Sequence, residues 1–165
     1  MSIEVITATT DDVDRLRDLR LAALKDTPDA FGAKYEDEVK KPISEWQDRL
    51  KNTTWCFVVA DGVDIGLLAV DVADKDRNSA CWLSSWWIRE DHRGSGIPKL
   101  MLNWLEQLCA EKNWKKIGLG VWPDNLRAIA AYKKLGFTER QKLLPSRSIP
   151  GLMYLAMYYE ITKSS

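Results

Sequence analysis

IREDHRGSGIP, residues 88–98, stands between two apolar patterns of different period. Before it, the run 82–88 reads as a buried strand. After it, from about Ile97, apolar residues recur at helical spacing. A strand, a short basic glycine loop and a helix N-terminus together make a site for an anionic group. Glycine lets the backbone approach a ligand closely, and the first-turn N–H groups and the helix dipole favour negative charge. The segment therefore points to a ligand that carries phosphate, as a nucleotide-like cofactor does.

Two familiar phosphate loops are excluded. GxxxxGK[ST] is absent, and Gly94-Ser95-Gly96 is not followed by glycine at dinucleotide spacing. A second segment sharpens the reading. A strand over 116–121 leads into PDNLRAIAAYKKLGF, residues 123–137. The pair strand–RGxGI–helix and strand–NxxA–helix–YxxxGF resembles the GNAT superfamily of acyl-CoA-dependent N-acetyltransferases. The resemblance covers the chain in element order and about residues 82–137 in motifs. The run RLAAL…PDAFG, residues 20–32, is also similar to the N-terminal region of many bacterial members.

The resemblance implies a role for each matching residue. The signature (Q/R)-x-x-G-x-(G/A) falls on Arg93, Gly96 and Pro98, so the loop Arg93, Gly94, Ser95, Gly96, Ile97, Pro98 and Lys99 would hold the CoA pyrophosphate. Pro98 departs from the family's Gly or Ala. It suits the first turn of a helix but removes one N–H, for which the charge of Lys99 would partly compensate. Trp86, Trp87 and Ile88 match the strand whose main chain pairs with pantetheine. Asn125 matches the asparagine that supports the pantetheine arm, and it reads equally well as a helix N-cap. Tyr132 matches the tyrosine that protonates the departing thiolate. A phenol with a pKa of about 10 carries its proton at neutral pH; the other reading of Tyr132 is an aromatic of the helix stripe.

No residue stands out as the general base. The position where many relatives carry glutamate is Gly120. Glu36, Glu38, Asp71 and Asp124 are candidates, each also readable as a solvated carboxylate, and a water chain is a further route. The single histidine, His92, reads as packing in the loop or meeting phosphate. The acceptor side is expected from the loops 28–40 and 145–150, with Phe31, Tyr35 and Glu36 as contacts. Gly118 and Gly120 share one side of their strand, either to admit a ligand or to make room for tryptophan rings. Trp82, Ser84 and Trp86 should line one face of the preceding strand, and Leu83, Ser85 and Trp87 the other.

Composition bounds the rest. The chain has 165 residues, 24 Lys+Arg against 24 Asp+Glu, and eight tryptophans. That length suits one domain, 1–165, and the balanced charge gives no drive towards nucleic acid or membrane. No signal-peptide or membrane-span pattern is visible. Cys56, Cys81 and Cys109 read as buried thiols of a cytoplasmic protein, not as a metal site or disulfide framework. The element order β-α-α-β-β-β-α-β-α-β-β predicts an α/β chain of the α+β type: a mixed, mainly antiparallel sheet with helices on both faces. Thr9 should cap the first helix, whose stripe is Val13, Leu16, Leu19 and Ala23. Asp61-Gly62 should turn a hairpin. The helix from Ile97 should bury Met101, Trp104, Leu105 and Leu108, and the next Ala128, Tyr132 and Leu135 before Gly136 ends it. The expected function is acetyl transfer from acetyl-CoA to a primary amine of a small molecule or peptide, without metal. The family also offers homodimers. The competing classes are an acyl-CoA-binding module that transfers nothing and an ATP- or NAD-binding domain.

Overall fold

The computed structural model describes residues 2–161. The chain divides into two compact units, 1–71 with 85–101, and 72–84 with 102–165. In the first unit β1 (Ile3–Thr7) pairs antiparallel with β2 (Thr54–Ala60), and β2 with β3 (Val63–Val72). The C-terminal half of β4 (Cys81–Ile88) follows β3 in the strand order. In the second unit the N-terminal half of β4 runs parallel to β5 (Lys116–Val121). There β5 pairs antiparallel with β7 (Met153–Glu160), and β7 with β6 (Thr138–Pro145). The strand order is β4-β5-β7-β6. One parallel pair among antiparallel ones makes the sheet mixed and mainly antiparallel, as expected. No helix among the described residues is long and apolar enough to cross a membrane.

The first unit's core shows why these residues fold this way. α1 (Val13–Asp26) turns Leu16, Leu19 and Ala23 onto Trp55 and Phe57 of β2, Leu67 and Ala69 of β3, and Trp87 of β4. α3 (Ile43–Asn52) adds Trp46, which is fully buried. Asp61 and Gly62 both take positive φ, 48° and 82°, as a tight hairpin turn between twisted strands requires. The start of α1 departs from expectation. Asp12, not Thr9, is the cap residue, and its carboxylate accepts from the Thr9 N–H at 2.7 Å. The acidic residue thus ties down the preceding turn. The polar segment after Pro28 holds a 3₁₀ turn and the four-residue α2 (Tyr35–Glu38), one helix more than the expected order.

The second unit settles the glycine question. A Cβ on Gly118 would lie 2.6 Å from the Trp82 ring, and one on Gly120 would lie 2.6 Å from the Tyr154 ring. These strand glycines make room for aromatics. Trp82 meets Tyr154 and Tyr158 edge-on, with Leu144 and Ala156 completing the cluster. In α4 (Ile97–Lys112) Ile97, Met101 and Leu105 are buried as expected, but so are Leu102 and Cys109, while Trp104 and Leu108 stay half-buried. In α5 (Leu126–Leu135) the buried residue is Ile129. Gly136 ends α5 at φ 110°, as its position predicts. The alternation expected along β4 fails at Ser85, which sits at φ 55°. A left-handed residue inside a strand breaks the period of two, so neither expected face runs its length. Cys56, Cys81 and Cys109 are all buried and free.

Candidate functional site

The loop expected to hold an anion is built from the end of β4 and the start of α4. A 3₁₀ turn at Glu90–His92 leads to Arg93 in extended conformation. Gly94 and Gly96 come next in the loop, at φ 83° and 79°. Side chains rarely adopt that conformation, and a Cβ at either position would meet nothing within 4 Å. The glycines are there for backbone shape, and they leave the loop surface open. Ser95 Oγ donates to the His92 carbonyl at 2.5 Å and closes the turn. Ile97, fully buried, fixes where α4 begins. The first helical turn leaves its N–H groups without intrahelical partners. Here they include Ile97 and Lys99 but not Pro98, which has none. Extended strand, left-handed glycines and helix start form a cradle whose shape and donors suit a phosphate.

Arg93 is already engaged. Its Nε donates to the Ile88 carbonyl at 2.9 Å, and its Nη2 to Asp26 Oδ2 at 2.6 Å. The Trp87 indole N–H donates to the same oxygen at 2.9 Å. These bonds, Trp87's first, hold the Asp26 carboxyl below the usual carboxylate range. Of Arg93's five N–H groups, three remain for a ligand. The sequence reading missed Asp26, although a carboxylate in the last turn of a helix opposes the dipole and signals a partner elsewhere. His92 pairs with Asp91 through Nδ1 at 2.9 Å.

The second motif lies on β5 and α5, within the other unit. Asn125 is the N-cap of α5, its Oδ1 accepting from the Ala128 N–H at 3.2 Å. Tyr132 is half-buried beside Phe137, ring centroids 5.9 Å apart. Burial pushes its phenol up to about 12, so the proton is held firmly at neutral pH.

The residues expected on the acceptor side sit close to α1. Phe31 packs against the first unit's core with the Arg20 guanidinium 5.0 Å from its ring centre, and Lys25 approaches the Tyr35 ring at 5.9 Å. Glu36 is exposed. Among the base candidates, Glu38 is no solvated carboxylate. It is buried, with Arg49 bidentate at 3.0 and 2.9 Å and Arg20 at 3.9 Å. Burial in turn pushes the Arg20 guanidinium below the usual arginine range. Asp71 accepts from Thr53 Oγ1 at 2.6 Å, while Asp124 is exposed. On the second unit's loop, Arg147 bridges to Asp74 and to Asp76.

Comparison with known proteins agrees with this geometry. Residues 16–137 match the family described as "Acetyltransferase (GNAT) family". A spermine/spermidine N(1)-acetyltransferase of Bacillus subtilis is 35% identical over 65 residues, which is 39% of this chain and 43% of that one. The match thus spans less than half of that relative. Among solved structures, a GNAT-family acetyltransferase from Streptococcus pneumoniae superposes with a TM-score of 0.75 at 17% identity, covering 98% of this chain and 100% of the other. A spermidine N-acetyltransferase from Vibrio cholerae, in complex with CoA and spermine, gives 0.68 at 18% identity, covering 96% and 95%.

Proposed function

The chain belongs to the GNAT acetyltransferase family, and we propose that it transfers the acetyl group of acetyl-CoA to a primary amine. The observation that carries the reading is the loop of Gly94 and Gly96 opening α4. Its backbone shape suits a phosphate-bearing donor, and the family match runs across both units, which we read as one domain. Bound acetyl-CoA supplies a thioester, an acyl carbon activated towards nitrogen.

The residues then divide the work. The loop amides and Lys99 hold the pyrophosphate, with Arg93 contributing its remaining N–H groups. The main chain of 86–88 and Asn125 support the pantetheine arm. The neutral amine nitrogen attacks the thioester carbonyl carbon; a C–N bond forms and the C–S bond breaks. Tyr132 donates its proton to the sulfur as thiolate charge develops, and the nitrogen's surplus proton passes to water, which restores the phenol. An aliphatic ammonium with a pKa of about 10.4 must lose a proton before attack, so rate should rise with pH. The similarity to a polyamine acetyltransferase makes small aliphatic polyamines the first acceptors to test, with Phe31, Tyr35 and Glu36 on the acceptor side. Gly120, which stands where many relatives carry glutamate, and Pro98, which removes one loop N–H, favour a second reading: a module that binds acyl-CoA and transfers nothing.

The test mixes the purified protein with acetyl-CoA and spermidine, spermine, amino acids or short peptides, and reads free thiol. Amine-dependent thiol release is expected. Stabilisation by acetyl-CoA without release would select the binding module. At about 100 times its Kd a ligand adds about 2.7 kcal/mol, or roughly 5–10 °C in Tm for this size. No shift and no release would overturn both readings.

A further inference from the structure

We propose that Asp26 is a positioning residue for the anion loop, presetting it for the phosphates of the acyl donor through Arg93. The proposal rests on the reading of that loop as the CoA pyrophosphate site. Asp26 is the last residue of α1, where the helix dipole disfavours a carboxylate. Two tertiary donors offset this: the Trp87 indole N–H at 2.9 Å and Arg93 Nη2 at 2.6 Å, both on Oδ2. Trp87 is buried in the first unit's core, so the carboxylate is anchored to a rigid neighbour. Arg93 is held on a second edge by the Ile88 carbonyl at 2.9 Å. The guanidinium is thereby fixed between the end of α1 and the end of β4.

The glycines beyond Arg93 give this anchoring its importance. Gly94 and Gly96 both stand in left-handed conformation, and glycine has more backbone freedom to lose than any other residue. A loop of this composition would otherwise have to be ordered by its ligand, at the ligand's expense in affinity. Fixing Arg93 immediately before Gly94, with Ile97 buried just beyond Gly96, pins the loop at both ends. Preorganisation of this kind raises affinity by cutting the ordering cost. Asp26 carries negative charge, as the phosphates do, so it has no attraction of its own for them. It acts through Arg93, so its removal should weaken only donors that carry phosphate.

The experiment measures CoA binding by calorimetry and pantetheine binding by ligand-observed NMR, for the wild type and for Asp26→Ala and Asp26→Asn. Amide exchange over 94–99 is followed in the free proteins. Asp26→Ala should weaken CoA about tenfold, leave pantetheine within about twofold, and speed exchange in the loop but not in β1–β3. Asp26→Asn keeps an acceptor oxygen at the same place and should fall in between. The isosteric variant also keeps the test usable if the alanine variant folds poorly. CoA affinity unchanged in both variants, or CoA and pantetheine weakened equally, would overturn the positioning role. A wild type that binds CoA no better than pantetheine would overturn the phosphate-loop reading itself, and the positioning role with it.

Discussion

Replacing Gly96 by alanine isolates backbone shape from side-chain room. Gly96 stands at φ 79°, and a Cβ there would meet nothing within 4 Å, so the substitution creates strain without a clash. An L-residue in the left-handed region costs about 1–2 kcal/mol. Stiffening the unfolded chain offsets about 0.4–1 kcal/mol of that. If the loop keeps its shape, the protein loses roughly 0–1.6 kcal/mol and up to about 6 °C in Tm, and acetyl-CoA affinity is unchanged. If the loop relaxes instead, stability is spared and the strain is met on binding, weakening acetyl-CoA by about 5–30-fold. The two effects trade against each other. Calorimetric titration with acetyl-CoA beside thermal unfolding reads both. Gly62→Ala is the control: it has the same strained φ, 82°, and the same empty surroundings, but lies in the β2–β3 turn. It should match Gly96→Ala in total strain and leave acetyl-CoA binding untouched. Gly96→Asn should be milder than Gly96→Ala, because asparagine tolerates the left-handed region better. A loss beyond about 100-fold in Gly96→Ala, or equal losses in the alanine and asparagine variants, would refute the conformational argument.

The remaining site residues carry expectations of their own. Tyr132→Phe should lower kcat by about tenfold or more and leave the KM for acetyl-CoA within about twofold; an unchanged kcat removes the phenol from the reaction. Because burial holds that phenol at about 12, the proton donor stays protonated as pH rises, so kcat/KM should climb with amine deprotonation and show no descending limb below about pH 11. A limb centred near pH 9 would contradict the assignment. Glu38→Gln removes the buried carboxylate facing Arg49 and Arg20 and should cost about 3–5 kcal/mol by urea unfolding, because the buried Arg20 loses its counter-charge and Arg49 keeps only Glu45. A variant as stable as the wild type would show that the cluster is solvated after all.

Much of the fold was legible where a single local rule governs. The Asp61-Gly62 turn, the start of α4 at Ile97, β5 and the Gly136 cap each depend on a few neighbouring residues, and each stands where the sequence puts it. The α1 stripe was readable for the same reason. Features that depend on distant partners were not. The left-handed Ser85 leaves no mark, because serine does not announce positive φ as glycine does. Glu38 looks like any surface carboxylate until Arg49, eleven residues on, closes over it. Asn125 was legible as a cap, since that role needs only the next three residues. Asp26 needed Trp87 and Arg93, more than sixty residues away, to acquire a meaning.

The burial of the cysteines has a practical consequence. Cys56, Cys81 and Cys109 all lie at 0% exposure. A thiol-titrating dye added to the folded protein should therefore find almost no sulfur to react with, and colour formed during turnover belongs to released CoA. In denaturant the same dye should find three equivalents per chain. Between those limits, slow colour in native buffer without acyl donor is a clock for how often β2, β4 and α4, which bear these residues, open. One reagent thus separates catalysis from breathing of the fold.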